Sequence, residues 1–261
     1  MVLGAFVWWQ SRNRAEPLVP LSLFGDRNFS VSNLAITTVS FAFTAMGFPI
    51  MLWAQLVRGY SPTEAGLLLA PMAITSIVAA PIAGRLTDRL HPRLLTMAGF
   101  AVLGVSFGLL FAVLSPDTPL WQLVAAFALV GVGSSFLWGP LAATATRNLP
   151  PQRAGAGSGV YNATRQVGAV LGSASIAVLI DARLAANGLQ FSPSEGRGGS
   201  ALPAQVAGPF TDAMAQSLLL LPAVLVLGLL AVLLFERPRH FAAAPTAAAP
   251  AAAEPAPPAA G

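Results

Sequence analysis

One ionisable side chain lies inside a long apolar run, Arg165 in "SGVYNATRQVGAVLG" (158–172). Counted from Gly157, it falls about 12 Å into a helix. Asn162, Gln166 and Ser173 share its face. A guanidinium in an apolar medium is costly, so it marks a functional contact with a partner surface, or it snorkels to the edge of the medium or binds carbonyls at a helix end. A second concentration of charge is "GRLTDRLHPR" (84–93), with three arginines and an aspartate in ten residues. Arg85, Arg89 and Arg93 can clamp carbonyls or carboxylates of a moving partner. Asp88 can face a helix N-terminus or an arginine, and Gly84 allows close helix packing. Simple anchoring at a membrane surface would need the arginines alone.

Other chemistry is excluded by what is missing. The chain has no cysteine, and its histidines, His91 and His240, are far apart, so no metal ligand set forms. No nucleophile–base constellation is visible, so no enzyme is expected. "GAGSGV" follows no strand, so it is no nucleotide loop; no cofactor is expected. Asp88, Asp117, Asp181 and Asp212 sit at the ends of apolar runs, and Glu64 lies between two of them.

The elements that must position these residues are membrane helices. Of 261 residues 55% are hydrophobic and 9% charged, against about 25% charged in soluble domains. A helix needs about 20 apolar residues to cross a bilayer. Charge-free windows predict six spans: A 31–54, B 65–84, C 94–114, D 120–144, E 159–181 and F 213–235. The expected fold is an all-α polytopic membrane protein, because backbone polar groups find no water in lipid. The expected organisation is a partial preceding span and cytoplasmic linker (1–30), a six-helix domain (31–235) and a disordered Ala/Pro-rich cytoplasmic tail (236–261).

All fourteen basic residues are arginine. They lie between apolar segments and make no patch on a soluble domain, so nucleic acid is not an expected partner. Placing Arg12, Arg14, Arg27, Arg85, Arg89, Arg93, Arg147, Arg153, Arg165, Arg237 and Arg239 on one side leaves Arg58, Arg183 and Arg197 on the other. This asymmetry predicts both termini in the cytoplasm of an inner (plasma) membrane protein, with the 182–212 loop outside.

Two spans carry polar stripes. Span A offers Asn33, Thr37, Ser40, Phe41, Thr44 and Phe48. Span D offers Phe127, Gly131, Ser134, Ser135 and Trp138. Such stripes suit a wet, aromatic-edged cavity for amphipathic solutes; hydroxyls bonded back to their own helix would explain them without a cavity. Small residues four apart, Gly155/Gly159, Gly168/Gly172 and Gly104/Gly108, predict close helix packing.

"GRLTDRLHPR" resembles the signature loop of the major facilitator superfamily through Gly84, Leu86, Asp88, Arg89 and Arg93. His91 stands where the family usually has glycine, and Pro92 where it often has a base. "RGYSPTEAGLLLAP" (58–71), "GVGSSFLWGP" (131–140) and "RAGAGSGVYNATRQVGAVLG" (153–172) resemble the C-terminal half of its fourteen-span drug:proton antiporters. The resemblance implies one six-helix half of such a fold, with the first and fourth helices lining a cavity. It implies multidrug-type efflux of hydrophobic or amphipathic small molecules by alternating access. It also implies a missing N-terminal half, from the same gene or another chain, which would carry any proton-coupling carboxylate. Asn162, Arg165 and Gln166 would then meet that half. The alternatives are a metabolite carrier of the same superfamily and a non-transporting membrane scaffold subunit.

Overall fold

The computed structural model describes residues 21–189 and 202–236. After a 3-10 turn at Leu21–Gly25 come eight helices: α1 (Arg27–Leu56), α2 (Pro62–Leu67), α3 (Ala70–Arg89), α4 (Pro92–Val113), α5 (Leu120–Thr146), α6 (Pro151–Ala186), α7 (Ala204–Leu218) and α8 (Leu220–Val232). Together α2 and α3 make one rod and α7 and α8 another, so six helical segments are long and apolar enough to cross a membrane. Each corresponds to one of the six expected spans. The preceding apolar stretch, the Ala/Pro tail, most of the 182–212 loop and Arg12, Arg14, Arg197, Arg237, Arg239 and His240 lie outside the described residues.

Local sequence starts these helices where expected from capping chemistry. The Asp26 carboxylate accepts the Phe29 N–H at 2.8 Å at the head of α1. Ser61 and Glu64 form a reciprocal capping box at α2, satisfying two otherwise orphaned donors. Pro92 and Pro151 occupy first-turn positions, where a missing N–H costs nothing.

The helices run longer than the charge-free windows. α3 continues through Arg89, so most of "GRLTDRLHPR" is helical and only Leu90 and His91 lie between helices. The stretch between expected spans B and C is thus mostly helix, since charged residues are at home in a helix once it has left the hydrocarbon. His91 needs no left-handed backbone, since its φ is −63° and its ring accepts the Arg93 N–H at 3.1 Å. A glycine at that position is therefore not required here. α6 likewise begins at Pro151, well before Gly157, and the sixth span begins at Ala204 rather than 213.

In lipid, water does not drive helices together, so close van der Waals packing must. Glycines make it possible at specific crossings. A Cβ on Gly168 would strike the Thr37 carbonyl, and one on Gly172 the Phe41 carbonyl, so α6 lies flush on α1. Gly131 of α5 meets Thr75 and Met72 of α3, and Gly228 of α8 meets Thr38 and Phe100. The Gly155/Gly159 and Gly104/Gly108 pairs differ from expectation, as nothing lies within 4 Å of an added Cβ at any of the four. Gly84 is open in the same way.

α1 is the central element, packed on α5, α6, α7 and α8. The core holds Phe29, Trp53, Phe100, Phe107, Phe127 and Phe210, all but fully buried. The two least enclosed spans are Pro62–Arg89, 17% buried over its apolar window, and Pro151–Ala186, 28% buried. These two border the recesses described next.

Polar ties fasten both ends of the bundle. At one end Arg27 pairs with Glu236 at 2.9 Å. Asn28 there donates to the Glu236 carbonyl at 3.2 Å and accepts its N–H at 3.0 Å. At the other end Arg58 donates to the carbonyls of Pro116 and Thr118, both at 3.0 Å, and stacks near Trp53 and Tyr60.

Candidate functional site

Trp138 and Arg165 stand together in the lining of two adjoining recesses. Trp138 projects from α5 and Arg165 from α6, with the guanidinium 5.8 Å from the indole centroid, within the range of a cation–π contact. Phe43 of α1 also packs on the indole, 5.6 Å between centroids. Depth follows from packing. Gly168 abuts Thr37, ten residues or about 15 Å beyond Arg27 along α1, so Arg165 sits about 10 Å inside the level of Arg27. Its distance from the start of its own helix is about 21 Å, since α6 begins at Pro151.

Two recesses meet at this point, and a third adjoins the second through Thr44. The first, about 470 Å³, is lined by Trp138, Thr146, Ser158, Tyr161, Asn162 and Arg165. The second, about 180 Å³, adds Ser40, Thr44 and Gln166 around the same Trp138 and Arg165. The third, about 460 Å³, shares Thr44 and is walled by Phe48, Met51, Ser173 and Ile176. Among the described residues none of the three has a carboxylate in its lining. A fourth, about 430 Å³, lies on the far side of Trp138 and contains Ser76, Gly84, Asp88 and Ser135.

The α1 stripe changes character along its length. Asn33 is buried and donates to the Phe29 carbonyl at 2.8 Å; Thr37 donates to the Asn33 carbonyl at 2.8 Å. Thr37 is satisfied on its own helix, whereas the Asn33 Oδ1 is buried without a hydrogen-bond partner. Phe41 is half-buried at the glycine crossing, Ser40 lines the second recess, and Thr44 and Phe48 are exposed in the third. On α5, Phe127 points into the core. Ser134 and Ser135 donate to the Gly131 carbonyl at 2.8 and 2.9 Å and abut Ser76 of α3. Trp138 alone of that stripe reaches all the recesses around Arg165. Asn162 and Gln166 are exposed on α6, Asn162 bonded back to the Ser158 carbonyl at 3.0 Å.

Sequence reasoning missed Tyr161, Phe43 and Ser76. Tyr161 is the clearest, because its hydroxyl is buried without a hydrogen-bond partner beside Arg165. The i−4 spacing from Arg165 was a usable signal.

The charged loop has a partner within the chain. Asp88 pairs with Arg147 at 3.1 Å, and Arg147 also reaches the Thr87 carbonyl at 3.5 Å. Gly84, Arg85, Arg89 and Arg93 are exposed at the same end. Among the described residues no group of three metal-ligating side chains occurs.

The family profile described as Major Facilitator Superfamily matches residues 2–173. The chain belongs to this superfamily. Among its relatives is an uncharacterized MFS-type transporter of Mycobacterium tuberculosis, 46% identical over 88% of this chain and 41% of the relative. The multidrug resistance protein Stp of the same species is 30% identical over 69% of this chain and 33% of its own length. The cephamycin export protein CmcT of Amycolatopsis lactamdurans is 31% identical over 87% of this chain and 44% of its own length. This facilitator chain thus spans less than half the length of each of these relatives. It is a multi-pass membrane protein with multidrug-type homologues, and the helical architecture agrees with one half of a facilitator.

Proposed function

We propose that this chain is the C-terminal half of a proton-coupled exporter of hydrophobic or amphipathic small molecules, working by alternating access. The observation carrying this reading is the chain of recesses at Trp138 and Arg165, apolar at one end and polar at the other, on a face bordered by the least enclosed helices. Export is supported by analogy with relatives named for multidrug resistance and for cephamycin export. No described residue lining these three recesses is a carboxylate, so the proton-binding group is assigned to a complementary N-terminal half. Asn162, Arg165 and Gln166 face that half or the space shared with it. The reading has both termini in the cytoplasm; it is supported by the asymmetry that sets Arg27, Arg85, Arg89, Arg93, Arg147 and Arg153 at one end of the described bundle and Arg58 and Arg183 at the other.

The test is reconstitution into liposomes with an imposed proton gradient and a panel of amphipathic dyes of both charges. The chain alone should move none of them, and co-expression with a matching N-terminal half should produce gradient-driven flux. Robust flux from the chain alone would show that two copies build the pathway, and overturn the half-transporter reading.

A further inference from the structure

Among the described residues Arg165 has no anionic partner. Two ion pairs link described residues, Arg27–Glu236 and Arg147–Asp88, and neither includes it. Its Nε is buried without a hydrogen-bond partner, as are the Tyr161 hydroxyl and the Ser40 hydroxyl nearby. Indole stacking partly compensates the charge, but a ring quadrupole meets the face of a guanidinium and leaves its N–H edge unused. That edge is a fork of donors whose geometry matches a carboxylate bidentately. The space beside it, about 470 Å³ on one side and 180 Å³ on the other, exceeds what a protein carboxylate side chain would fill. From the smaller recess the path continues past Thr44 into a wall of Phe48, Met51 and Ile176, suited to an apolar body.

We propose that the recess at Arg165 and Trp138 binds amphipathic organic anions, the guanidinium edge holding a carboxylate while the ring or chain of the ligand extends toward Thr44, Phe48 and Met51. Tyr161 in the larger recess and Ser40 in the smaller one are the unpartnered hydroxyls beside Arg165. The proposal rests on the exporter reading for its biological sense and narrows the substrate class to anions. A lipophilic cation would find here no carboxylate and one repelling arginine.

Binding is tested on the full chain purified in a non-ionic detergent, by isothermal titration with three ligands sharing one ring system: 2-naphthoate, 2-naphthamide and 2-naphthylmethylammonium. The expected result is naphthoate at least tenfold tighter than the amide, with the ammonium weakest. Arg165→Gln should bring naphthoate and amide within twofold of each other, and Arg165→Lys should keep part of the difference. Equal binding of naphthoate and amide by the unsubstituted chain overturns the proposal without reference to any variant. An unchanged preference in a folded Arg165→Gln chain overturns it as well. Flux measurements separate the two readings. Anion preference without flux on co-expression would sink the exporter reading alone, and flux of dyes without anion preference would sink this one alone.

Discussion

Asp88 and Arg147 join the last turns of α3 and α5 through a 3.1 Å contact between Oδ1 and Nη2. The carboxylate sits near the C-terminal end of its own helix, where the macrodipole disfavours a negative charge, and Arg147 offsets that. The Asp88 side chain is 75% exposed, so solvent screens the pair and it contributes less than about 1 kcal/mol to stability. Asp88→Asn should therefore leave membrane abundance and the thermal midpoint nearly unchanged. In the complete transporter it should lower transport, because the contact joins two helices that border the open face. Loss of abundance in proportion to activity would point to folding instead, and full activity would remove the role.

A second expectation concerns the α1–α6 seam. Gly172→Ala places a methyl against the Phe41 backbone, which has no flexible end to move away. Overpacking of this sort costs about 1–3 kcal/mol. Gly155→Ala meets open space on an exposed helix surface, where alanine is favoured over glycine by up to about 1 kcal/mol. The first substitution should lower the melting midpoint of the purified chain and the second should not. Matching midpoints for the two variants would show that the seam is looser than the packing indicates.

Membrane orientation is the third. The chain has no native cysteine, so single replacements give a clean readout. Thr63 and Gln152 are both exposed and stand at opposite ends of the bundle. In intact cells an impermeant maleimide should label Thr63→Cys and spare Gln152→Cys until the membrane is opened. The reverse pattern would invert the topology drawn from the arginines.

All six spans were legible in the sequence because charge is excluded from hydrocarbon, and charge-free windows mark that exclusion directly. Helix ends were not, since a helix does not stop where the lipid stops. α3 continues through Arg85, Asp88 and Arg89 past the expected end at 84, and α6 starts eight residues before the expected start at 159. The polar stripes were read from periodicity, which identifies a face without saying what covers it. Ser134 and Ser135 proved to face Ser76 of α3, whereas Thr44 and Trp138 face open space. The same limit separates Gly168 and Gly172, which lie in a seam, from Gly155 and Gly159, which do not. Facing depends on a neighbouring helix that is distant in sequence, and no single span encodes it.

The clasp between Asn28 and Glu236 places the start of the first span and the end of the last within hydrogen-bond distance of each other. Topologically, the six-span bundle is a loop with its two ends side by side. A short linker could join those ends, and the chain could be reopened at the Ser115–Pro119 connection between α4 and α5, without separating any pair of packed helices. The bundle is therefore a natural subject for circular permutation, and its order of spans along the chain is one of several that the same packing would accept.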